Sequence, residues 1–198
     1  MARATRGVTD GVGWNDRLDF RNNVPLADKL LSDLGLGDVD IDADRTFDRV
    51  PYAVTLATDD GRLDFAYVMV HVTYGSRVGP RIAEVRALGG YYNDVFPHEA
   101  DVLLMGDFNR KAGNPKSLGW LFDNFGLVDT TETGMPTVIS GANTYDHILF
   151  HPVHTSEYAG THGVVLFDET KFADDDDAVR RAISDHRPVL GGTGRAGE

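Results

Sequence analysis

Cysteine is absent from this 198-residue chain, which excludes disulfides, thiolate metal sites and thiol catalysis. Lysine is scarce: only four of the 19 basic residues are Lys, and they stand against 31 acids, of which 25 are Asp, for a formal net charge of −12. A surface that acidic repels nucleic acid and anionic membranes, so a phosphate-bearing substrate must be met by local positive charge or by a metal ion. The same Asp-rich, Lys-poor surface suits concentrated salt, where self-repulsion is screened at short range; an acidic protein from an ordinary milieu is the alternative. Long apolar runs are missing too. None approaches the ~20 residues of a membrane span, and the start "MARATRGVTDGVGW" lacks the apolar stretch of a signal peptide. The expectation is a soluble chain, cytoplasmic by default.

What is present is enough for one sizeable domain with a core: 41% apolar residues, 10% of all residues aromatic. Residues 1–43 read as a segment apart, irregular over 1–23 and then helical at "PLADKLLSDLGLG", where Leu26, Leu30, Leu31 and Leu34 share a face. From Tyr52 the texture changes. "YAVTLAT" and "FAYVMVHV" flank Asp59-Asp60-Gly61 as a hairpin, and "GPRIAEVRALGGYY" predicts a helix with Pro80 in its first turn, closing at Gly89-Gly90. "DVLLMG" reads as a buried strand, "LGWLFDNFGLVDT" as a short helix and turn with Trp120 and Phe122 in the core. Further strands are expected at "YDHILF", "GVVLF" and "HRPVL", and the Gly-rich end, 191–198, as a frayed tail. Asp174 to Asp177 fit a solvated loop or helix start better than a calcium site. Interleaved strands and helices argue for an α/β layered domain.

Polar residues of a catalytic type arrive where these strands begin or end. They are Arg49, His71 closing "FAYVMV", Asp107 and Asn109 after "DVLLMG", Asp146 and His147 in "TYDHILF", and Asp185 and His186 in "ISDHRPV". Strand ends hold side chains at fixed separations while the adjoining loops leave room for substrate. Each has a structural alternative: a lone His as a hydrogen-bonding residue, Gly-Asp-Phe-Asn as an Asx turn, Ser-Asp-His as a cap and turn. Their joint appearance gives the catalytic reading its weight.

Taken together and in this order, "FDRVPYAV", "DFAYVMVHVTYG", "DVLLMGDFNR", "TYDHILF" and "ISDHRPV", spanning roughly Asp44 to Val189, resemble the endonuclease/exonuclease/phosphatase superfamily of deoxyribonuclease I-like, metal-dependent phosphodiesterases. The resemblance implies an α/β (α+β) layered sandwich: two mixed or antiparallel β-sheets packed face to face with helices outside, occupying 44–190. It implies that Asp107 aligns or deprotonates the attacking water or holds a metal, that Asn109 contacts the scissile phosphate, and that Asp185 is a metal ligand. His186 would contact phosphate or act as general base, with Asp146 as its orienting partner. His71 would be a second catalytic histidine and Arg49 a phosphate- or DNA-contacting arginine. The implied cofactor is Mg²⁺ or Mn²⁺, with Ca²⁺ a further option; hard cations suit the oxygen ligands available and neutralise an anionic ester. A carboxylate-buttressed His can move a proton near neutral pH, a contribution of roughly 10²–10⁴-fold.

One element of the pattern has no counterpart. Such proteins carry an early Gln-Glu strand whose Glu binds metal, but the first Glu here is Glu84, inside a predicted helix; Asp40 and Asp42 are the nearest substitutes, and Trp14-Asn15 the nearest match to an opening strand. The N-terminal strands are therefore expected to be missing or replaced, which would leave an apolar sheet edge open to self-association or to a completing chain. The leading functional expectation is a metal-dependent DNA endonuclease. The alternatives are a phosphoesterase acting on a lipid or inositol phosphate headgroup, which the negative net charge favours over a long polyanion, and an inactive binding remnant. Arg77, Arg81 and Arg86 offer backbone contacts or merely form a solvated helix face. His147, His151, His154 and His162 cluster in sequence without the spacing of a metal site.

Overall fold

The computed structural model describes residues 2–4, 47–58, 64–97, 99–131, 134–139, 141 and 143–193. The expected helix at "PLADKLLSDLGLG", the Asp59-Asp60-Gly61 turn and the last five residues lie outside them.

Alternating β-branched and aromatic residues produce β2 (Tyr52–Thr58) and β3 (Asp64–His71), which pair antiparallel as the hairpin pattern predicts. β3 then crosses through α1 (Val78–Val95) to β4 (Val102–Asp107), and the two strands lie parallel. β5 (Val128–Asp129) and β6 (Asp146–Phe150) extend the sheet beyond β4, and β1 (Ala2–Ala4) edges it beyond β2, giving the order β1-β2-β3-β4-β6-β5. The helix α2 (Leu118–Phe125) precedes β5 and ends on Gly126 in the left-handed conformation, φ 66°. A separate two-stranded sheet joins β7 (Tyr158–Val164) to β8 (Val189–Thr193), with short helices α3 (Phe167–Lys171) and α4 (Asp176–Ala182) between them. Both sheets and the outer helices match the expected layered fold.

Strand alternation divides the large sheet into two unlike faces. Ala66, Val68 and Val70 of β3, with Val102 and Leu104 of β4, are buried against Val85, Leu88, Tyr92 and Val95 of α1. Each of these valines and leucines contributes roughly 1.5–3 kcal/mol by leaving water. The opposite face carries Phe65, Tyr67, Leu103 and Met105, half-buried, and Met69, which is 52% exposed. The small sheet packs on this face at the β6 end, where a Cβ on Gly191 would lie 3.6 Å from Ile148 Cδ1. A cavity of about 380 Å³, lined by Tyr67, Met105, Ile148, Phe167, Pro188 and Val189, separates the two layers and reaches Asp146 and His186.

Four expectations are corrected. The chain does not start irregularly throughout, since Ala2–Ala4 pair with Leu56–Thr58. α1 does not close at Gly89-Gly90 but runs on to Val95. A Cβ on Gly89 would lie 2.4 Å from the Phe125 ring, so this glycine serves the approach of α2 rather than a helix stop. The strand expected at "GVVLF" lies earlier, at Tyr158–Val164, and Phe167 opens α3 because Asp168 is drawn into the interior. The tail does not fray at 191: β8 continues through Gly191 and Gly192, where a Cβ on Gly192 would meet Thr161 Oγ1 at 1.9 Å. Asp175 caps α4 by accepting from Ala178 N, as expected for a helix start.

Candidate active site

The ladder itself assembles the first three residues. Asp107 is the register partner of His71 across the parallel pair and of Asp146 across the antiparallel pair, so one row of three neighbouring strands carries all three on the open face. Gly106 precedes them at φ 140°, and a Cβ there would lie 2.0 Å from the Val70 carbonyl oxygen. Only glycine allows β4 to pass β3 this closely as the strand ends.

The Gly-Asp-Phe-Asn segment is an Asx turn and a site at once. Asn109 N donates to Asp107 Oδ1 at 2.7 Å, and Asn109 Nδ2 donates to Asp107 Oδ2 at 3.0 Å and to the Val72 carbonyl at 2.9 Å. Asn109 is 4% exposed with φ 48°, a left-handed conformation that Asn tolerates. Both of its amide hydrogens are thus used internally, fixing the Asp107 carboxylate and the strand end after His71.

His186 enters from another layer. Its backbone bridges Val138, while Ile139 N donates to the Asp185 carbonyl and Arg187 N to the Thr137 carbonyl. The ring Nδ1 lies 2.7 Å from Asp146 Oδ2, and Nε2 lies 4.0 Å from Asp107 Oδ2, the oxygen that His71 Nε2 approaches at 3.8 Å. The Asp146 carboxylate, aided by the charges of Asp107 and Asp185, raises the His186 imidazole to about 9 against the opposing pull of burial. Burial raises Asp107, reinforced by the Asp146 charge and opposed by Asn109 N and the two imidazoles. A carboxylate and an imidazolium pushed up together, half-buried at strand ends, form the kind of pair that acid–base sites use.

Three supports carried no sequence signal. Thr137 Oγ1, fully buried, accepts from Tyr145 N and Asp146 N and holds the start of β6. Glu84, 5% exposed on α1, accepts from Asp48 N at 3.0 Å and Thr73 N at 2.8 Å, tying the Arg49 loop to the His71 loop. Asp168, fully buried, takes Arg187 through both carboxylate oxygens, and Arg187 also donates to the Pro136 carbonyl, anchoring the segment next to His186. Glu84 is visible in sequence only as a helix acid, and Asp168 only as one of many aspartates.

Other candidates lie elsewhere. Arg49 is exposed and pairs with Asp48 at 3.5 Å. Asp185 is exposed beside the site, near enough for its charge to act on His186. His147 points to the core side of β6, between Asp129 Oδ2 at 2.7 Å and the Arg110 carbonyl at 2.8 Å. The His151 and His154 rings lie 4.5 Å apart, tilted by 40°, and His162 meets Tyr158 Oη; among the described residues these histidines form no metal cluster. Trp120 and Phe122 pack against the core from its margin.

The donor set suits a hard divalent cation. One ligand atom each from Asp107, Asp146 and His186 lies within 4.8 Å of the others, and two carboxylates suit a hard cation better than a soft one. The His186 Nε2 to Asp107 Oδ2 gap, at 4.0 Å, exceeds hydrogen-bond length.

No protein-family model matches the chain. In sequence it is 32% identical over 161 residues to a deoxyribonuclease of Thioalkalivibrio sp. (strain K90mix), covering 75% of this chain but 43% of that relative, so the chain spans less than half of the curated protein it matches. In structure it is similar to a functionally unknown conserved protein of Enterococcus faecalis V583, with TM-score 0.49, 16% identity, and 74% of this chain and 56% of that one covered. It is also similar to the human Nocturnin catalytic domain with bound sulfate (0.48, 15%, covering 72% and 53%) and to an endonuclease/exonuclease/phosphatase family protein of Bacteroides thetaiotaomicron (0.46, 15%, covering 72% and 53%).

Proposed function

We propose that this chain, resembling the endonuclease/exonuclease/phosphatase superfamily and similar in sequence to a deoxyribonuclease, carries the site of a divalent-metal-dependent phosphodiester hydrolase that cuts DNA internally. The observation that carries the reading is the convergence on one carboxylate oxygen: Asp107 Oδ2 faces His71 Nε2 at 3.8 Å and His186 Nε2 at 4.0 Å, with His186 backed by Asp146 at 2.7 Å.

In this reading Asp107, held still by Asn109, aligns the attacking water. His186 is imidazolium at neutral pH in the metal-free protein, its charge sustained by Asp146; it therefore begins as a donor, giving its Nε2 proton to the leaving oxygen while Nδ1–H stays on Asp146, and the proton that the attacking water releases to solvent balances the one that recharges Nε2 on turnover. His71 supplies a second ring nitrogen to the same space. Asp107 and Asp146, with Asp185 at the rim, would hold the cation, which supplies charge neutralisation on the phosphate oxygens. Arg49 stands on the loop that Glu84 ties to His71 and would meet phosphate from there.

Plasmid nicking with Mg²⁺, Mn²⁺, Ca²⁺ or EDTA across a salt series tests the reading. Metal-dependent nicking that falls at least 100-fold in both Asp107→Asn and His186→Ala is expected; a folded protein that nicks nothing with any metal sinks it. The net charge of −12 supports one second reading, hydrolysis of a small headgroup phosphodiester, which release of phosphocholine or inositol phosphate without nicking would favour.

A further inference from the structure

Two stretches beside the site contain no acid at all: residues 72–83, VTYGSRVGPRIA, and residues 108–122, FNRKAGNPKSLGWLF. With 31 acids in 198 residues, 27 positions drawn at random would hold about four. The two stretches are neighbours in space. Arg81 Nη1 donates to the Asn109 carbonyl at 3.3 Å, Asn109 Nδ2 donates to the Val72 carbonyl at 2.9 Å, and the charge of Arg81 bears on Arg110.

Their cations are also unpaired with acids among the described residues. Arg49, Arg180 and Arg187 each have a carboxylate within 4.0 Å, whereas Arg81 and Arg110 make their hydrogen bonds to carbonyls and to Ser117 Oγ. Arg77, Lys111 and Lys116 are exposed. Arg77 is the N-cap of α1, whose first turn has neither a side-chain cap nor an acid, so the positive end of the helix dipole adds to the field. The same edge holds an aromatic: Tyr74 is 77% exposed, three residues beyond the strand end that carries His71. The loop bearing it is pinned at Val72, whose N donates to the Asp107 carbonyl and whose carbonyl accepts from Asn109 Nδ2.

We propose that Tyr74, Arg77, Arg81, Arg110, Lys111 and Lys116 form a second phosphate-binding shelf, which takes the backbone of a polynucleotide strand leaving the Asp107 site, with Tyr74 available to stack on a base or sugar. This rests on the hydrolase reading and favours its polynucleotide form over the small-headgroup one: the shelf has no use for a substrate with a single phosphodiester. Cations reading backbone phosphates and an exposed ring offered to a base are how sequence-tolerant nucleic-acid binders work. The acidic remainder of the surface then confines the polyanion to this edge.

The test is binding of a fluorescein-labelled 20-mer, single-stranded and duplex, followed by anisotropy in EDTA from low to moderate salt. The triple variant Arg77→Ala, Lys111→Ala, Lys116→Ala is compared with a control triple, Lys171→Ala, Arg180→Ala, Arg181→Ala, which removes the same charge on α3 and α4. The shelf triple should weaken binding on the order of tenfold or more and lower the log–log salt slope by about two to three, at ~0.9 per lost duplex phosphate contact. The control should change affinity less than twofold, and Tyr74→Ala should weaken the single strand at least fivefold with the salt slope unchanged. Equal losses in both triples, no loss in the shelf triple, or binding of wild-type protein to phosphatidylglycerol vesicles but not to the 20-mer would each overturn the proposal. Metal-dependent hydrolysis of bis(4-nitrophenyl) phosphate by the wild type is read alongside: its absence removes the hydrolase reading, whereas the binding comparison alone decides the shelf.

Discussion

Replacing Asp146 by Asn probes the link between His186 and the fold. The imidazole sits at about 9 rather than 6.5, mainly because Asp146 accepts from its Nδ1 at 2.7 Å. At about 1.4 kcal/mol per pH unit this is roughly 3 kcal/mol of preference for the charged ring. The His186 side chain is 29% exposed, so solvent screening brings the expected contribution to about 2 kcal/mol. The folded value lies above the unfolded one, so this stability is fully present below about 6.5 and is lost as pH rises through about 9. Urea denaturation in EDTA should therefore find Asp146→Asn less stable than wild type by about 2 kcal/mol at pH 6, with the gap nearly closed at pH 10. Proton NMR of the His186 ring should place its midpoint near 9 in wild type and well below that in the variant. A gap of the same size at both pH values, or a wild-type midpoint near 6.5, would refute the coupling.

Four further substitutions test the supports. Gly89→Ala should destabilise by about 1–3 kcal/mol in urea, because overpacking against Phe125 outweighs the ~1 kcal/mol helix gain; a stabilised variant would show that α1 and α2 part freely. Asp168→Asn leaves Arg187 buried without its charge partner and should cost roughly 3–5 kcal/mol at pH 7. Arg187 holds Asp168 below the usual carboxylate range, so that contribution is present above pH ~4 and disappears as acid titrates the folded carboxylate, and the variant's difference from wild type should vanish there. Asp101 is the reverse case: burial lifts it to about 6, so Asp101→Asn should stabilise by about 1–2 kcal/mol at pH 7 and by nothing at pH 4, read as a difference in thermal midpoint. Glu84→Gln replaces one acceptor oxygen with a donor and should raise amide exchange at Asp48 or Thr73 at least tenfold, with about 1–3 kcal/mol lost.

The strands were legible because their signal is local. β-branched alternation marks β2 and β3, and a greasy run that stops at Gly106-Asp107 marks β4, so His71, Asp107 and Asp146 could each be placed at a strand boundary, whereas their alignment in one row depends on a register that sequence does not display. Helix limits were less legible because glycine has two uses: Gly126 ends α2 by its left-handed φ, whereas Gly89 stays inside α1 to admit the Phe125 ring, and a lone sequence does not distinguish them. The supports were invisible for another reason. Thr137, Asp168 and Glu84 act over nine, 19 and 36 residues of separation, and a buried ion pair or a hydroxyl holding two amides leaves no periodic trace. The reading of Asn109 as a phosphate ligand met a structure in which its amide hydrogens serve Asp107 and Val72, so the positioning role is the one its geometry displays.

The register row has a consequence for how activity would be lost. His71, Asp107 and Asp146 belong to the central strands β3, β4 and β6, and core strands are the last parts of a fold to open. His186 is carried by a segment that leads directly into β8 and the small two-stranded sheet. Sub-global opening follows such boundaries, so release of the peripheral layer would withdraw one imidazole while the other three groups stayed in place. Mild denaturant or heat should then silence the chain well before its main sheet melts, and removing the stress should restore it at the speed of a local closure rather than of refolding.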